Sequence, residues 1–398
     1  MSPQTLPRLL YLGDVPVESS YHGSALLYRL LQDYPPERLR IVEAGLFGSQ
    51  PERRLKNIRY DSHFLPLARL QSTRFHRWYT MANLLWAAGR ARQFRALVAD
   101  FKPEAILTVA HGISWITAAA VARKSNTPLH LICHDEWADS FATTNALHGW
   151  KRRVFGGIYR AAASRLCVSP FMNEEYQRRY HVAGTVLYPS RAADATSFSA
   201  PPDRLAAPNG GFTIAYAGQI NSQSGARVLK EVAEASDAVN GRLLVFGKLS
   251  SADAKSFDLN QLNIELCGLV KSSDLISRLR EKADALLVPM SFAAEDRVNA
   301  ELSFPSKLTD YSTIGVPLLI RGPSYCSAVR WALDNPQVAE IVTSENAQEM
   351  NAAIRRLATD AGHRITLGKH ALAAGQTYFG HAPNAQIFYR SIRARHGG

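Results

Sequence analysis

The sequence is poor in cysteine, and no two of its four cysteines stand in the CxxC spacing of a metal or redox site. Cys133, Cys167, Cys267 and Cys326 lie far apart, which excludes a disulfide scaffold and predicts reduced, structural thiols in a cytosolic protein. The first residues, MSPQTLPRLLYLGD, lack the long apolar stretch of a signal peptide and run directly into a predicted strand.

Long hydrophobic runs are also scarce. Ala105 to Ala122 is an uncharged run of 18 residues, the lower limit for a helix that spans a membrane. His111 and Gly112 interrupt it in the middle, so we predict a buried strand, a turn and a helix instead.

The composition excludes a disordered chain, because 46% of the residues are hydrophobic and 20% are charged. Its 398 residues predict two domains, or at most three small ones. The net charge is +12, and residues 1–200 carry most of it, with 25 Lys and Arg against 15 Asp and Glu. Such a one-sided field favours an anionic partner, while scattered solvated arginines are the alternative explanation.

Apolar segments of strand length alternate with helix-length segments in both halves, which predicts parallel sheets covered on both faces. The predicted strands are Arg8–Leu12, Leu39–Ala44, Ala105–Ala110, Leu129–Cys133, Arg165–Val168, Thr185–Leu187, Phe212–Ala217, Arg242–Phe246, Ile264–Cys267, Ala285–Pro289 and Pro317–Ile320. Residues 191–211, rich in small residues, proline and glycine, predict a linker. We therefore expect an α/β protein with two doubly wound, Rossmann-like domains, 1–190 and 212–383, facing an interdomain cleft.

Loops after strands are the first place to look for site residues, because ligands of open parallel sheets bind beyond the carboxyl ends of the strands. The first such loop ends with Gly23, just before a predicted helix. Glycine lets the backbone approach a ligand closely, and the N–H groups of a helix start favour an anion. Ordinary capping of the helix explains the same residues.

A second loop places His134, Asp135 and Glu136 after a buried strand. His134 can donate a hydrogen bond to a sugar hydroxyl, and Asp135 can cap the next helix. A metal site is less well supported, because His130 and His134 are roughly 13 Å apart on a strand that rises about 3.3 Å per residue.

The most specific motif is PSKLTDYSTIGVP, which begins at Pro305. We predict a helix over Ser306–Thr313, capped by Ser306, with Lys307 in its first turn beside N–H groups that favour an anion. Asp310 follows about one helical turn later and faces the same side.

This motif, together with YAGQI at Tyr216, FGK at Phe246 and the segment ending in Val270, resembles GT-B-fold glycosyltransferases of the retaining family-4 type. The resemblance covers nearly the whole chain, and its last motif is similar to that of nucleotide-sugar enzymes that make bacterial surface polysaccharides.

The resemblance implies roles for individual residues. Lys307 would contact the donor diphosphate, and Asp310, in the position of the second glutamate of the family's Glu-x7-Glu element, would contact the donor ribose. Gly218 would let the backbone approach the phosphates, and Val270 lies where the family holds the nucleobase.

On the side of the first domain, Gly23 would lie beside the phosphates and His134 would meet the donor sugar. Lys307, Asp310 and His134 are the implied catalytic residues. The remaining implied donor-binding residues are Gln219, Gly247, Lys248, Arg297, Phe304, Pro305 and Ser306.

Three positions depart from the family pattern. Gln219 and Ser224 stand where the family usually has an arginine and a lysine, and Leu302 stands where it has the first glutamate. Positive charge for the diphosphate must then come from other residues, for which the candidates are Lys307, Lys248, Arg227 and Arg297.

The resemblance implies transfer of a sugar from a nucleoside diphosphate, UDP ahead of GDP, to a hydroxyl of a glycan or lipid-linked glycan with retention of configuration. In the mechanism proposed for this family the leaving phosphate helps to take the acceptor proton, so a carboxylate pair at glycosidase spacing is not required. No cofactor is implied, and the absence of an Asp-x-Asp motif fits transfer without a metal.

Two rival functions stay open. The departures favour a GT-B-fold protein that binds nucleotide-sugar or glycan without transferring it. The basic first half favours a nucleic-acid-binding protein, but no nucleic-acid motif is present and no nucleic-acid partner is expected.

The segment Arg69–Arg95 interleaves arginines with aromatic and leucine side chains and overlaps a predicted long helix, Phe75–Phe101. This pattern suits an interfacial helix beside anionic lipid, where a lipid-linked acceptor would be presented. A helix that packs its aromatics inward is the alternative. We expect a cytoplasmic protein, peripheral on the inner face of the cell membrane if the interfacial hypothesis holds.

The C-terminal segment, residues 384–398, is predicted to be helical, because Ile387, Phe388 and Ile392 share one apolar face. The family resemblance implies that this helix returns to the first domain.

Overall fold

The computed structural model describes residues 6–19, 22–137, 148–206, 211–220 and 223–394. The chain divides into two compact units, residues 1–193 with 381–398 (unit 1) and residues 194–380 (unit 2). Residues 207–210 of the predicted linker and 395–398 of the predicted C-terminal helix lie outside the described residues.

Unit 1 contains a parallel sheet of seven strands in the order β3-β2-β1-β4-β5-β6-β7. The strands are β1 (Leu9–Gly13), β2 (Leu39–Glu43), β3 (Arg59–Ser62), β4 (Ala105–Val109), β5 (Leu129–Cys133), β6 (Ser164–Cys167) and β7 (Thr185–Val186). The helices are α1 (His22–Leu31), α2 (His76–Trp86), α3 (Ala91–Leu97), α4 (Ser114–Ser125), α5 (His148–Ala161), α6 (Pro170–Tyr180) and, from the C-terminal segment, α15 (His381–Ser391).

The core of unit 1 lies on both faces of its sheet. Successive side chains of a strand point to opposite faces, so Leu9 and Tyr11 of β1 pack with α1 and the C-terminal segment. Leu10 and Leu12 pack with α3 and α4 on the other face. Burial on both faces explains why the central strands are continuous apolar runs.

Unit 2 contains a second parallel sheet, of six strands in the order β10-β9-β8-β11-β12-β13. The strands are β8 (Thr213–Ala217), β9 (Arg242–Phe246), β10 (Ile264–Gly268), β11 (Ala285–Pro289), β12 (Leu318–Arg321) and β13 (Ala339–Val342). The helices are α7 (Gln223–Asp237), α8 (Ser251–Ser256), α9 (Ser272–Lys282), α10 (Arg297–Leu302), α11 (Lys307–Tyr311), α12 (Ser327–Asp334), α13 (Ala347–Thr359) and α14 (Ala361–Phe379).

The predicted α/β class with two doubly wound parallel sheets is confirmed by these two units. The sequence pattern missed both β3 and β13, which are edge strands. β3 has the sequence RYDS and no buried residue, and β13 is only half buried, so neither forms the apolar run that marks a central strand.

The predicted helix Phe75–Phe101 is divided into α2, a 3-10 turn at Ala87–Arg90 and α3. The hydroxyl of Thr117 donates a hydrogen bond to the carbonyl of Ala87, at 2.7 Å, and Gly89 lowers helix propensity at the same place. Arg90 is buried there and donates to the carbonyl of His63 at 2.9 Å. These contacts favour the break over a continuous helix.

The uncharged run Ala105–Ala122 folds as β4, a turn with Gly112 at φ +57°, and most of α4. Within the described part of the chain, no helix is both long and apolar enough to cross a membrane.

The C-terminal segment completes the core of unit 1. Phe388 of α15 and Ile392 just after it are buried among the side chains of β1, β2 and α1, and the Tyr389 ring lies 6.2 Å from the Tyr34 ring. His381, the first residue of α15, is hydrogen-bonded to Asp33 at 2.8 Å.

We expect Phe388→Ala to destabilise unit 1 by about 3–5 kcal/mol, because it opens a cavity in a packed core. Five of the six tryptophans belong to unit 1, so urea unfolding followed by tryptophan fluorescence mainly reports this unit. Gln386→Ala, an exposed change on the same helix, is the matched control. Equal unfolding midpoints for the two variants would contradict the packing described for α15.

Candidate functional site

Close backbone packing marks the carboxyl edge of the unit 2 sheet, where β8, β9 and β10 end. Gly218 N donates to Phe246 O at 2.9 Å, and Gly247 N donates to Gly268 O at 2.9 Å. A Cβ on Gly247 would collide with the carbonyl oxygen of Gly218, and a Cβ on Gly218 would lie 2.7 Å from Cε of Lys307. Position 247 therefore requires glycine for reasons of space, whereas glycine is favoured at position 218 by the positive φ of +156°.

A cavity of about 240 Å³ opens at this edge. The residues after β8 and β11, the start of α7 and the first residue of α11 line it. The polar side chains that reach it are those of Tyr216, Gln219, Ser224, Ser291, Asp296 and Lys307. Of the predicted donor-site residues, the cavity thus brings together Gln219 and Lys307, beside the backbone of Gly218.

Lys307 brings an uncompensated positive charge to the cavity. Its ammonium lies 5.2 Å from the centre of the Tyr216 ring, and its stem passes over Gly218. Among the described residues no carboxylate lies within ion-pair distance of it. Burial therefore lowers the pKa of Lys307 below its ordinary value, because the charged form is desolvated without a partner.

The predicted capping role of Ser306 is wrong. Its side chain accepts no capping hydrogen bond, and α11 is only five residues long. The N–H of Leu308 already donates to Pro305 O, and that of Thr309 to Ser306 O, both at 3.1 Å. These N–H groups at the start of α11 are therefore already paired. Lys307 is positioned by its packing against Gly218 and Tyr216.

Asp296 lines the cavity and was not predicted from the sequence. The hydroxyl of Ser224, the second residue of α7, donates to its Oδ2 at 3.1 Å. Ser224 and Asp296 are far apart in the sequence, so only their position after neighbouring strands, β8 and β11, could have indicated that they meet.

Several predicted residues do not reach the cavity. Lys248 is exposed and lies near Asp253, whose pKa it helps to lower after the contribution of Ser250. Val270 and Asp310 are partly exposed, and neither is among the described residues that line the cavity.

Two further predicted residues have other contacts. Arg297 is exposed, with its guanidinium 4.5 Å from the centre of the Tyr325 ring and 3.9 Å from the Glu301 carboxylate. Phe304 is buried, and its ring lies 6.0 Å from that of Trp331 and 5.6 Å from that of Phe379. Its side chain is therefore part of the core of unit 2 and not of the cavity wall. Pro305, which follows it, is partly buried.

In unit 1 the structure brings Gly23 and His134 together at the carboxyl edge of the sheet. A Cβ on Gly23 would lie 3.3 Å from Nδ1 of His134. Nε2 of His134 is buried without a hydrogen-bond partner among the described residues. Burial lowers the pKa of His134 to about 4, although Asp135 acts in the opposite direction. His134 is therefore neutral near pH 7.

Asp14 holds the neighbouring loop in place. Its carboxylate accepts hydrogen bonds from the N–H groups of Ile113 and Ser114, where α4 begins, and from the Ser114 hydroxyl. Burial raises the pKa of Asp14, and these hydrogen bonds oppose the rise. The Asp14 carboxylate thus caps the start of α4.

Among the residues described, no three His, Cys, Asp or Glu side chains are grouped so that they could hold a metal ion. The four cysteines are free, and three of them are buried.

The family model for Glycosyltransferase Family 4 matches residues 49–190, which lie in unit 1. No curated protein sequence matches the chain.

Solved structures resemble the chain over nearly its whole length. HepE from Anabaena, in complex with UDP and glucose, is 14% identical with a TM-score of 0.63, covering 97% of this chain and 99% of its own. Sucrose-phosphate synthase from Thermosynechococcus elongatus is 15% identical, with a TM-score of 0.65 and coverage of 97% and 98%. The lipopolysaccharide outer core galactosyltransferase WaaB, in its apo form, is 15% identical, with a TM-score of 0.60 and coverage of 96% and 98%.

The neutral state of His134 predicts a pH dependence of stability. The unfolded chain takes up a proton near pH 6.5, whereas folded His134 does so at about pH 4. Stability is therefore lost as the pH falls from about 6.5 to 4, by about 2–3 kcal/mol for this one group. We expect His134→Gln to lose that part of the dependence.

Urea unfolding at pH 7 and at pH 4.5 measures this effect. The exposed His370 supplies the control, His370→Gln, which should lose as much stability on acidification as the unmodified protein. The same loss in the His134 variant would mean that folding does not lower the pKa of His134.

Proposed function

We propose that the chain is a glycosyltransferase that moves a sugar from a nucleoside-diphosphate sugar to a hydroxyl acceptor with retention of configuration. The family 4 model over residues 49–190 and the GT-B-fold structures similar to the chain support this proposal. The observation that carries the proposal is Lys307, an unpaired ammonium in a cavity at the carboxyl edge of the unit 2 sheet. Ligands of doubly wound sheets bind at this edge.

Transfer of a glycosyl group leaves negative charge on the departing diphosphate, and fixed cations in a dry site stabilise that charge. Lys307 is held over Gly218, where the backbone itself can approach a phosphate, because residue 218 has no side chain. A diphosphate in the cavity would supply the negative charge that Lys307 lacks among the described residues.

The start of α7 adds to this site. The helix is 15 residues long, and Ser224 and Gly225 in its first turn line the cavity. The N–H groups of a helix start favour an anion, so they supplement Lys307 where the family would have its arginine and lysine. Ser224 meanwhile keeps the Asp296 carboxylate hydrogen-bonded beside the phosphates.

We assign Asp296 to the hydroxyl groups of the donor. A carboxylate accepts hydrogen bonds from sugar hydroxyls, and Asp296 reaches the cavity. The role of Asp310 at the donor ribose, and those of Val270, Lys248 and Arg297, stay predictions from the family resemblance.

Within unit 1 we assign the donor sugar to His134. The ring is neutral near pH 7, so one nitrogen donates and the other accepts a hydrogen bond. Its Nε2 has no hydrogen-bond partner among the described residues and is the nitrogen that we assign to a sugar hydroxyl, and Gly23 leaves room beside Nδ1. In the front-face mechanism implied by the resemblance, the leaving phosphate takes the acceptor proton, so His134 orients the sugar and does not act as the base.

UDP is the first donor nucleotide to test, since the HepE structure contains UDP. A glycan or lipid-linked glycan is the proposed acceptor class, which the name of WaaB supports. A lipid-linked acceptor would bring the enzyme to an anionic membrane surface.

A second candidate is a protein that binds nucleotide-sugar without transferring it. Gln219 and Ser224 in place of the family's basic residues favour this alternative. Calorimetry with UDP and GDP, followed by release of UDP from a panel of UDP-sugars with glycan acceptors, separates the two. Binding with neither transfer nor donor hydrolysis would support the alternative, and failure to bind either nucleotide would contradict both.

Replacing Lys307 tests the assignment directly. We expect Lys307→Met to lower the transfer rate about 10²-fold or more, by analogy with the loss of one oxyanion-hole donor, which raises the barrier by about 2.7–4 kcal/mol. The variant should fold normally and melt no lower than the unmodified protein, since a desolvated, unpaired ammonium does not stabilise the fold.

Lys369→Met removes the same charge from an exposed position of unit 2 and is the matched control. Transfer rate, UDP affinity and melting temperature are measured for both variants. A rate and an affinity within a few-fold of those of the control would remove Lys307 from the donor site.

A further inference from the structure

An exposed apolar surface lies on unit 1, at the 3-10 turn Ala68–Ser72 and helix α2. Leu67 is 73% exposed, Trp78 68%, Trp86 52% and Phe75 49%. These side chains are close in sequence and lie on neighbouring elements, so the exposure is that of a patch and not of scattered residues.

The patch encloses a groove of about 600 Å³. Its walls are the side chains of Leu67, Leu70, Phe75, Trp78, Tyr79 and Trp86. The hydroxyl of Tyr79 donates to Pro66 O at 2.8 Å, which pairs the polar end of this wall residue and ties the turn to α2. The groove is therefore largely apolar and open to the outside.

Positive charge surrounds the groove. Residues 62–99 contain six arginines and no acidic residue. Arg69, Arg74 and Arg77 are exposed, and within the described chain none of the three has an ion-pair partner. Arg74 lies over the Phe75 ring, at 4.9 Å from its centre. We call Leu67, Arg69, Arg74, Phe75, Arg77, Trp78 and Trp86 the aromatic–arginine surface.

We propose that the aromatic–arginine surface binds an anionic lipid bilayer. Tryptophan and phenylalanine insert at the boundary between headgroups and acyl chains, and arginines beside them meet anionic headgroups. A second copy of the chain is a poor occupant, because symmetric pairing of this face would bring unpaired arginines against each other. In a bilayer, acyl chains would contact the apolar groove and anionic headgroups would contact the arginines around it.

The surface borders the ligand edge of the unit 1 sheet. Leu65 N donates to Gly45 O at 2.9 Å, and Gly45 packs against the backbone of Asp14, in the loop after β1. Pro66, which follows Leu65, is the first residue of the groove wall. On the proposed transfer function, a lipid anchored at the surface would therefore present its head group near this edge. The binding of the bilayer itself does not depend on that function.

Vesicle co-sedimentation tests the proposal. We expect the protein to bind vesicles in which about a third of the phosphatidylcholine is replaced by phosphatidylglycerol, and to bind pure phosphatidylcholine vesicles at least about ten-fold less. Arg74→Glu with Arg77→Glu should reduce binding to the anionic vesicles at least about ten-fold, since each basic residue near such a surface contributes several-fold. Added salt should weaken binding of the unmodified protein.

Charge and apolar contact need separate controls. Arg278→Glu with Arg355→Glu makes the same change of charge at exposed positions of unit 2 and should leave binding nearly unchanged. Trp78→Ser with Trp86→Ser should also lower binding, whereas Leu262→Ala with Leu333→Ala, at exposed leucines of unit 2, should not.

Equal binding to neutral and anionic vesicles, binding to neither, or equal loss in the control variants would overturn the proposal. So would concentration-dependent dimerisation abolished by the Trp78 and Trp86 changes, or preference for random DNA over anionic vesicles. UDP calorimetry without lipid is run on the same variants. If vesicle binding fails while UDP binding persists, the lipid surface alone is refuted, and the converse result refutes only the donor site.

Discussion

The close approach of the backbone at Gly218 and Gly247 is the constraint on which the edge of unit 2 depends. It leaves no space for a side chain at position 247, and the absence of a side chain at position 218 lets the stem of Lys307 cross the end of β8. The position of the ammonium in the cavity therefore follows from the packing of three strand ends. A helix cap contributes nothing to it, because Ser306 makes no capping hydrogen bond.

Buried cations elsewhere in the chain have partners of two kinds. Arg90 and Arg364 donate to backbone carbonyls, and two other buried arginines are paired with carboxylates. Arg40 is ion-paired with Asp61, and Arg321 with Glu231, and both guanidinium groups are almost completely buried. Neutralising partners of this kind keep the cost of desolvation low. Lys307 has no such carboxylate among the described residues. A local arrangement that lowers stability without an evident structural gain is typical of a binding site.

Central strands and most helices could be predicted from the sequence, because burial on two faces makes each strand a continuous apolar run. The edge strands β3 and β13 carry no such run and were missed. Lys307 and Gly218 were each assigned to the donor phosphates from the family pattern, and the structure places them side by side. Asp296 was not found, since its meeting with Ser224 depends on sheet order. Phe304 was predicted to bind the donor because it precedes the PSK motif. A sequence motif does not distinguish a side chain in the core from one that lines a cavity.

The contribution of α15 to unit 1 has a consequence for synthesis on the ribosome. Unit 2 is one continuous stretch, residues 194–380, so all of its strands have been made before α15 emerges. Unit 1 draws Phe388 and Ile392 from the far end of the chain into the core around β1. The part of the chain made first is thus the last to complete its core. Until then its apolar face is exposed to chaperones and to other nascent chains.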